Sequence, residues 1–313
     1  MIPSVDLTDF LSNDSNRKNA FVNALGAAYS DIGFVAVKGH MLTEETSEKL
    51  YSACQTFFSL PIETKLKYEI QGLAGQRGYT SFGKEHAKGR NEGDLKEFWH
   101  FGQTVTDEDP IGIEYPHNVL VDEVSSFNEV GLKAYQQIEE TGRYILRAIA
   151  LHLGLDEFFF DDKIKNGNSI LRPIHYPPIT SEPKSAVRAA EHEDINLITL
   201  LMGASAEGLQ LLNKQNEWVN ITALPEQLVV NVGDMLQRLT NNVLKSTTHR
   251  VINPPREKWQ NSRFSIPFFL HPRSDMKLNV LPSCVNETNP PQYLDITAGE
   301  YLHERLREIG LSK

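Results

Sequence analysis

His192 and Asp194 stand two apart in the segment Glu191-His192-Glu193-Asp194, and a second histidine follows much later in Thr248-His249-Arg250. In an extended strand, residues two apart project from the same face. His192 and Asp194 would therefore point together, with Glu193 turned away. A histidine from another strand then completes two imidazoles and one carboxylate. Three such ligands on one side of a metal leave the opposite positions open, which is the arrangement suited to Fe(II) oxygen chemistry. Taken alone, His-x-Asp is a common accident, and His249 alone is more often a capping or packing histidine.

Arg263-Phe264-Ser265 raises the weight of the triad. Arg263 and Ser265 also share a strand face. A guanidinium grips a carboxylate through two parallel hydrogen bonds and a nearby hydroxyl adds a third. The pair fits the far carboxylate of a dicarboxylic acid. The plainer alternative is a surface arginine on an edge strand, which the apolar run Ile266-Pro267-Phe268-Phe269-Leu270 disfavours. In Leu171-Arg172-Pro173-Ile174-His175-Tyr176-Pro177-Pro178, an extended chain puts Arg172, Ile174 and Tyr176 on one face. The Tyr176 hydroxyl either joins the carboxylate anchor or is structural, before a Pro-Pro turn. Phe268 is either a pocket wall or core. Asn231 and Asp234 read as turn-shaping residues. Lys245, Ser246 and Arg250, neighbours of His249, are either hydrogen-bonding supports of that ligand or plain solvent-facing strand residues.

These residues need strands to position them. After Pro177-Pro178 the apolar period is two, and segments 195–202, 208–212, 227–232, 247–252 and 263–270 are short and bounded by Gly, Asn or Pro. Many short strands at such spacing predict a double-sheet β architecture. Upstream, helical periodicity covers 16–31, 43–58 and 123–153, and a last helix covers 297–309. A short strand runs from Gly33 through Val37 and ends at Gly39. Residues 69–118, rich in glycine and charge, read as mostly irregular, and Lys84 to Lys96 is either a lid over the site or a solvated loop. The fold class is thus mainly β with α: a double-stranded β-helix (jelly-roll) core with a helical N-terminal part. No linker divides the chain, so residues 1–313 read as one unit, with an N-terminal α/β region at 1–125 and the jelly-roll core at 165–275.

Composition bounds the partners. The formal net charge is −10, which argues against nucleic acid yet leaves room for a local basic pocket that binds a small acid. Cys54 and Cys284 form no metal-like spacing and point to a reducing compartment. The first residues lack a basic start followed by an apolar run, and no stretch is apolar enough to span a membrane. A cytoplasmic location is the expectation.

The motifs together resemble the isopenicillin N synthase-like branch of the 2-oxoglutarate/Fe(II) dioxygenases. Residues 192–201 (HEDINLITLL) with Gly208-Leu209-Gln210 and Trp218 resemble that branch's first metal strand and hairpin, and residues 231–253 resemble its second metal segment. Arg263 and Ser265 fall on its RxS motif, and Arg172 to Pro178 on its RxNxYPP strand. Ile2 to Leu7, Gly33-Phe34, Gly39-His40, Phe57 to Pro61, Gly78-Tyr79 and Asp94 to Glu97 resemble its N-terminal region, so the likeness covers roughly residues 2–275. Ile174 departs from the branch's usual Asn, and Asn241-Asn242 from its Asn-Gly turn, where Asn still tolerates a tight hairpin.

The resemblance implies Fe(II) on His192, Asp194 and His249, and 2-oxoglutarate as cosubstrate with its 5-carboxylate on Arg263 and Ser265. It implies O2 as co-reactant and oxidation of a small organic molecule with release of succinate and CO2. Hydroxylation, desaturation and ring closure all fit. A same-fold oxidase that does not use 2-oxoglutarate, and a non-catalytic metal-binding module, are the rival readings. Substrate identity and oligomeric state are not legible.

Overall fold

The computed structural model describes residues 2–73, 75–85, 93–104, 110–183, 186–203 and 208–308. In chain order, β1 (Ser4–Asp6) leads into α1 (Leu7–Phe10) and α2 (Ser15–Asp31), followed by β2 (Phe34–Lys38), α3 (Glu44–Phe58) and α4 (Ile62–Leu66). Next come β3 (Gly78–Thr80), β4 (Glu97–Gly102), the long helix α5 (Ser125–His152) and α6 (Asp161–Ile164). Strands then dominate: β5 (Ile170–Leu171), β6 (Ile174–Tyr176), β7 (Ala189–His192), β8 (Ile198–Met202), β9 (Leu209–Leu212), β10 (Trp218–Asn220) and β11 (Leu228–Val232). The chain closes with α7 (Asp234–Leu239), β12 (His249–Val251), β13 (Arg263–Leu270) and α8 (Ala298–Glu308).

The strands form two sheets. The larger runs β1-β2-β11-β8-β13-β5-β4-β3, with β6 paired to β13 and β4; the smaller runs β10-β9-β12-β7. Two registers matter for chemistry. In the small sheet His249 lies directly opposite His192. In the large sheet Arg263 lies opposite Tyr176 and Ser265 opposite Ile174.

The helices begin where the sequence supplies caps. The Asp14 carboxylate accepts the backbone N–H groups of Asn16 and Arg17 at the start of α2, and the Thr43 hydroxyl accepts that of Thr46 in α3. Helix α5 buries Phe127, Val130, Ala134, Ile138, Ile145 and Ile149, and packs on the outer face of the large sheet. Glycines let it come close: a β-carbon at Gly131 would lie 2.3 Å from Phe101 Cζ, and one at Gly142 2.3 Å from Leu270 Cδ1. Below α5, Phe57 stacks on Phe127 at 4.8 Å with Trp99 edge-on to both.

Several expectations need correction. The described part of 69–118 is mostly irregular, but the expectation misses β3 and β4, and β4 is buried along its whole length and joins the large sheet. With both faces covered, its residues alternate in no visible way. The His-x-Asp segment is only half strand: β7 ends at His192 and Asp194 lies just after it, in the connection to β8. Asn241 and Asn242 do take positive φ (48° and 66°), yet they close the exit from helix α7, not a β-hairpin. Of the segment 84–96, residues 86–92 lie outside the described residues.

Candidate functional site

Three donor atoms converge. Ligating atoms of His192, Asp194 and His249 all lie within 4.8 Å of one another. His192 Nε2 is 4.0 Å from Asp194 Oδ1, and His249 Nε2 is 3.8 Å from Asp194 Oδ2. The backbone fixes both imidazole tautomers. His192 Nδ1 lies 2.7 Å from the Ala190 carbonyl and His249 Nδ1 3.0 Å from the Thr247 carbonyl. A carbonyl only accepts, so each Nδ1 carries the proton and each Nε2 presents its lone pair toward the shared point. Phe34 backs His249 edge-on at 5.6 Å.

Asp194 is held just as firmly. Thr199 Oγ1 donates to its Oδ2 at 2.6 Å and Asn231 Nδ2 donates to the same oxygen at 2.8 Å. Asn196 Nδ2 in turn donates to Thr199 Oγ1 at 2.9 Å, which directs the threonine proton toward the carboxylate. Burial pulls the Asp194 carboxyl upward, but the two imidazoles and these two hydrogen bonds outweigh it and leave it below the usual range. Surrounding protein, and then His249, lower the His192 imidazole to about 4; the exposed part of its ring opens onto the cavity. Two imidazoles, each turning Nε2 to the shared point, and one carboxylate make a donor set fitted to a divalent first-row metal.

The triad lines a cavity of about 940 Å³ that also receives Tyr176, Arg263 and Ser265. Arg263 is buried, its Cζ lies 5.0 Å from the Tyr176 ring centroid, and Nε, Nη1 and Nη2 all lack a hydrogen-bond partner. Such a group is costly to bury unless a ligand completes it. A carboxylate would do so. Along β13, alternation sends Arg263, Ser265, Pro267 and Phe269 to the cavity, whereas Phe268 packs into the core against Tyr135. Phe268 is therefore core, and Phe269 takes the wall position. Ile174 lines the cavity beside Tyr176, and His175 points away to Glu97 at 2.7 Å.

Other residues depart from the sequence reading or escape it. Asn231 shapes no turn; it lies within β11 and orients Asp194. A lone amide in Leu-Val-Val-Asn-Val is the available signal. Asp234 shapes no turn either; it opens helix α7, its N–H donating to the Asp194 carbonyl at 2.7 Å. Lys245 is exposed, and Arg250 lies across Trp218 at 3.8 Å, bonded to Gln210 and Glu191. Ser246, in contrast, is buried. Nothing in the sequence announces the buried ion network of Lys96, Asp94, Glu85 and Arg172, in which Lys96 Nζ is 2.7 Å from Glu85 and 2.8 Å from Asp94.

Comparison with known proteins decides the family. The profile of the 2OG-Fe(II) oxygenase superfamily matches residues 167–272, and that of the non-haem dioxygenase in morphine synthesis N-terminal region matches residues 2–123. A putative 2OG-Fe(II) oxygenase family protein from Caulobacter crescentus is 41% identical, with TM-score 0.89 over 98% of this chain and 99% of that one. The chain belongs to the 2OG-Fe(II) oxygenase superfamily. Kihadalactone A synthase LFS of Citrus sinensis is 32% identical across 96% of this chain and 91% of its own. A full-length protein from Neurospora crassa, solved in complex with alpha-KG, is 30% identical with TM-score 0.85, covering 98% of this chain and 96% of that one. As a member of this superfamily, the protein is a dioxygenase dependent on Fe(II) and 2-oxoglutarate, built on a jelly-roll core with a helical N-terminal region. No helix among the described residues is long and apolar enough to cross a membrane.

Proposed function

We propose that His192, Asp194 and His249 hold the Fe(II), that Arg263, Ser265 and Tyr176 receive the distal carboxylate of 2-oxoglutarate, and that the prime substrate is a small organic molecule. The observation that carries this reading is the buried, unpartnered Arg263 guanidinium sharing one cavity with the convergent triad. Bound Fe(II) with 2-oxoglutarate supplies oxygen activation, coupling loss of CO2 and formation of succinate to oxidation of the substrate.

The residues of this chain do the rest. His192 and His249 offer Nε2 because their Nδ1 protons are committed to backbone carbonyls. Thr199 and Asn231 restrain Asp194 Oδ2. Arg263, opposite Tyr176 in the sheet, orients the cosubstrate through its planar fork. Ile170, Ile174, Leu201 and Phe269 line the cavity with apolar surface and keep bulk water from the reacting centre. The sequence motifs further support placement in the isopenicillin N synthase-like branch, and the two free, buried cysteines support a cytoplasmic location. The N-terminal region at 1–125 and the core at 165–275 are proposed as parts of one unit, 1–313.

Metal analysis tests the ligand assignment. His192→Ala and His249→Ala should each lose stoichiometric Fe(II), because two remaining ligands hold a labile ion poorly. Full occupancy in both variants would defeat it.

A further inference from the structure

Six cationic side chains among the described residues line the cavity: Arg77, Lys84, Lys96, Arg172, Arg263 and Arg305. Four have carboxylate partners. Lys84 pairs with Glu69 at 3.0 Å, Lys96 with Glu85 and Asp94, Arg172 with Glu85 at 3.3 Å, and Arg305 with Glu304 and Glu308. Among the described residues, Arg77 and Arg263 have none. Arg77 is 1% exposed, only its Nη1 is bonded, to the Gln76 carbonyl at 2.7 Å, and its Nε and Nη2 have no partner.

The site around Arg77 is built rather than accidental. The guanidinium lies against Gly102 of β4, where a β-carbon would fall 1.8 Å from Arg77 Cζ. The ionisable side chains that influence it supply no negative charge. Tyr135 donates its hydroxyl proton to the Ser169 carbonyl, and burial pushes the Tyr115 hydroxyl up to about 12. Two more cavity-lining groups, Asn168 Oδ1 and His271 Nδ1, are buried without partners. His271 is held at about 4 by burial, so it is neutral at pH 7 and able to donate or accept.

We propose that Arg77 anchors a carboxylate of the prime substrate, with Asn168 and His271 offering polar atoms to the rest of that molecule from the same cavity wall, so that this dioxygenase oxidises a small organic acid. The inference rests on the reading that Arg263 takes 2-oxoglutarate. A single dicarboxylate cosubstrate would satisfy Arg263 and leave the second unpaired guanidinium uncompensated. A buried charge without a counter-ion destabilises the protein that carries it, and a ligand anion removes that penalty. An acid would thus be bound with its charged end at Arg77 and the remainder extending through the same cavity toward the triad.

The test uses full-length Fe(II) enzyme with 2-oxoglutarate and a panel of small monocarboxylates, benzoate first, each matched with its primary amide. Succinate formation, melting temperature and 2-oxoglutarate affinity are measured for wild type, Arg77→Lys and Arg77→Met. Acids, not amides, should raise the wild-type melting temperature and drive succinate formation. Arg77→Met should raise KM for those acids tenfold or more and move kcat less, with Arg77→Lys between. Without any acid, Arg77→Met should melt at or above wild type. Acceptance of amides as readily as acids, an unchanged KM in Arg77→Met, or no acid raising the wild-type melting temperature would each overturn the proposal. So would an Arg77→Met protein melting well below wild type without ligand, since that marks a structural prop. Wild type that binds no 2-oxoglutarate fails at Arg263 and contradicts the cosubstrate reading instead.

Discussion

Thr199 and Asn231 share one oxygen of Asp194, and that division of labour decides how the carboxylate meets a metal. With Oδ2 accepting from both, at 2.6 and 2.8 Å, the side chain cannot rotate freely, and Oδ1 faces His192. Asn231→Ala and Thr199→Val should each weaken Fe(II) affinity by about 10- to 100-fold, as loss of an orienting partner generally does. Competition with a chelator would measure this, and an unchanged affinity in both would show that Asp194 needs no such support. The triad itself is readable from residue types and spacing. Its supports are not, because a threonine and an asparagine inside apolar strands carry no signature until register places them over one carboxylate. Arg77 is equally silent: in Gln-Arg-Gly-Tyr it looks like any loop arginine.

At the scale of elements, alternation explains what is legible. The sequence predicts β13 at its observed bounds, and its period of two sends Arg263 and Ser265 to one face together. The same rule assigns Phe269 to the cavity and Phe268 to the core. β4 escapes because both of its faces are buried, so Glu-Phe-Trp-His-Phe-Gly shows no pattern of in and out. Its charged and polar residues are tolerated by partners from distant segments: Glu97 meets Lys65 at 2.8 Å and His175 at 2.7 Å. The glycines of α5 are also illegible as contacts. Gly131→Ala gains helix propensity of up to about 1 kcal/mol, yet its β-carbon would meet the Phe101 ring at 2.3 Å. Overpacking typically costs about 1–3 kcal/mol, so net destabilisation is expected in urea unfolding. A Gly131→Ala protein more stable than wild type would mean that α5 shifts outward freely.

For the whole molecule, buried neutral histidines set the acid limit. Burial holds His271 near 4, against an ordinary 6.5 in the unfolded chain. Below about pH 6.5 the unfolded chain takes up a proton that the folded one refuses, so stability falls until the folded group also protonates near pH 4. For His271, 8% exposed, this amounts to at most about 3 kcal/mol. His192 acts in the same direction, less strongly because it faces the cavity. The metal-free protein should lose melting temperature between pH 6.5 and 4.5, and His271→Asn should flatten that slope relative to its own value at pH 7. An unchanged slope would place the acid sensitivity elsewhere. The expectation of a local basic pocket in an acidic chain also belongs to this scale, since a net charge of −10 sums the whole chain and says nothing of where Arg77 or Arg263 is placed.

The central claim is that one cavity holds Fe(II) on the triad and 2-oxoglutarate on Arg263. Isothermal titration of 2-oxoglutarate into anaerobic Fe(II) protein tests it most directly. Wild type should bind one equivalent. Arg263→Lys keeps the charge but loses the planar fork, so Kd should rise by roughly thirtyfold, about 2 kcal/mol for one charge-assisted hydrogen bond. Arg263→Ala should weaken binding further, with Fe(II) content unchanged in both. Arg263 variants that bind 2-oxoglutarate as tightly as wild type would contradict the assignment.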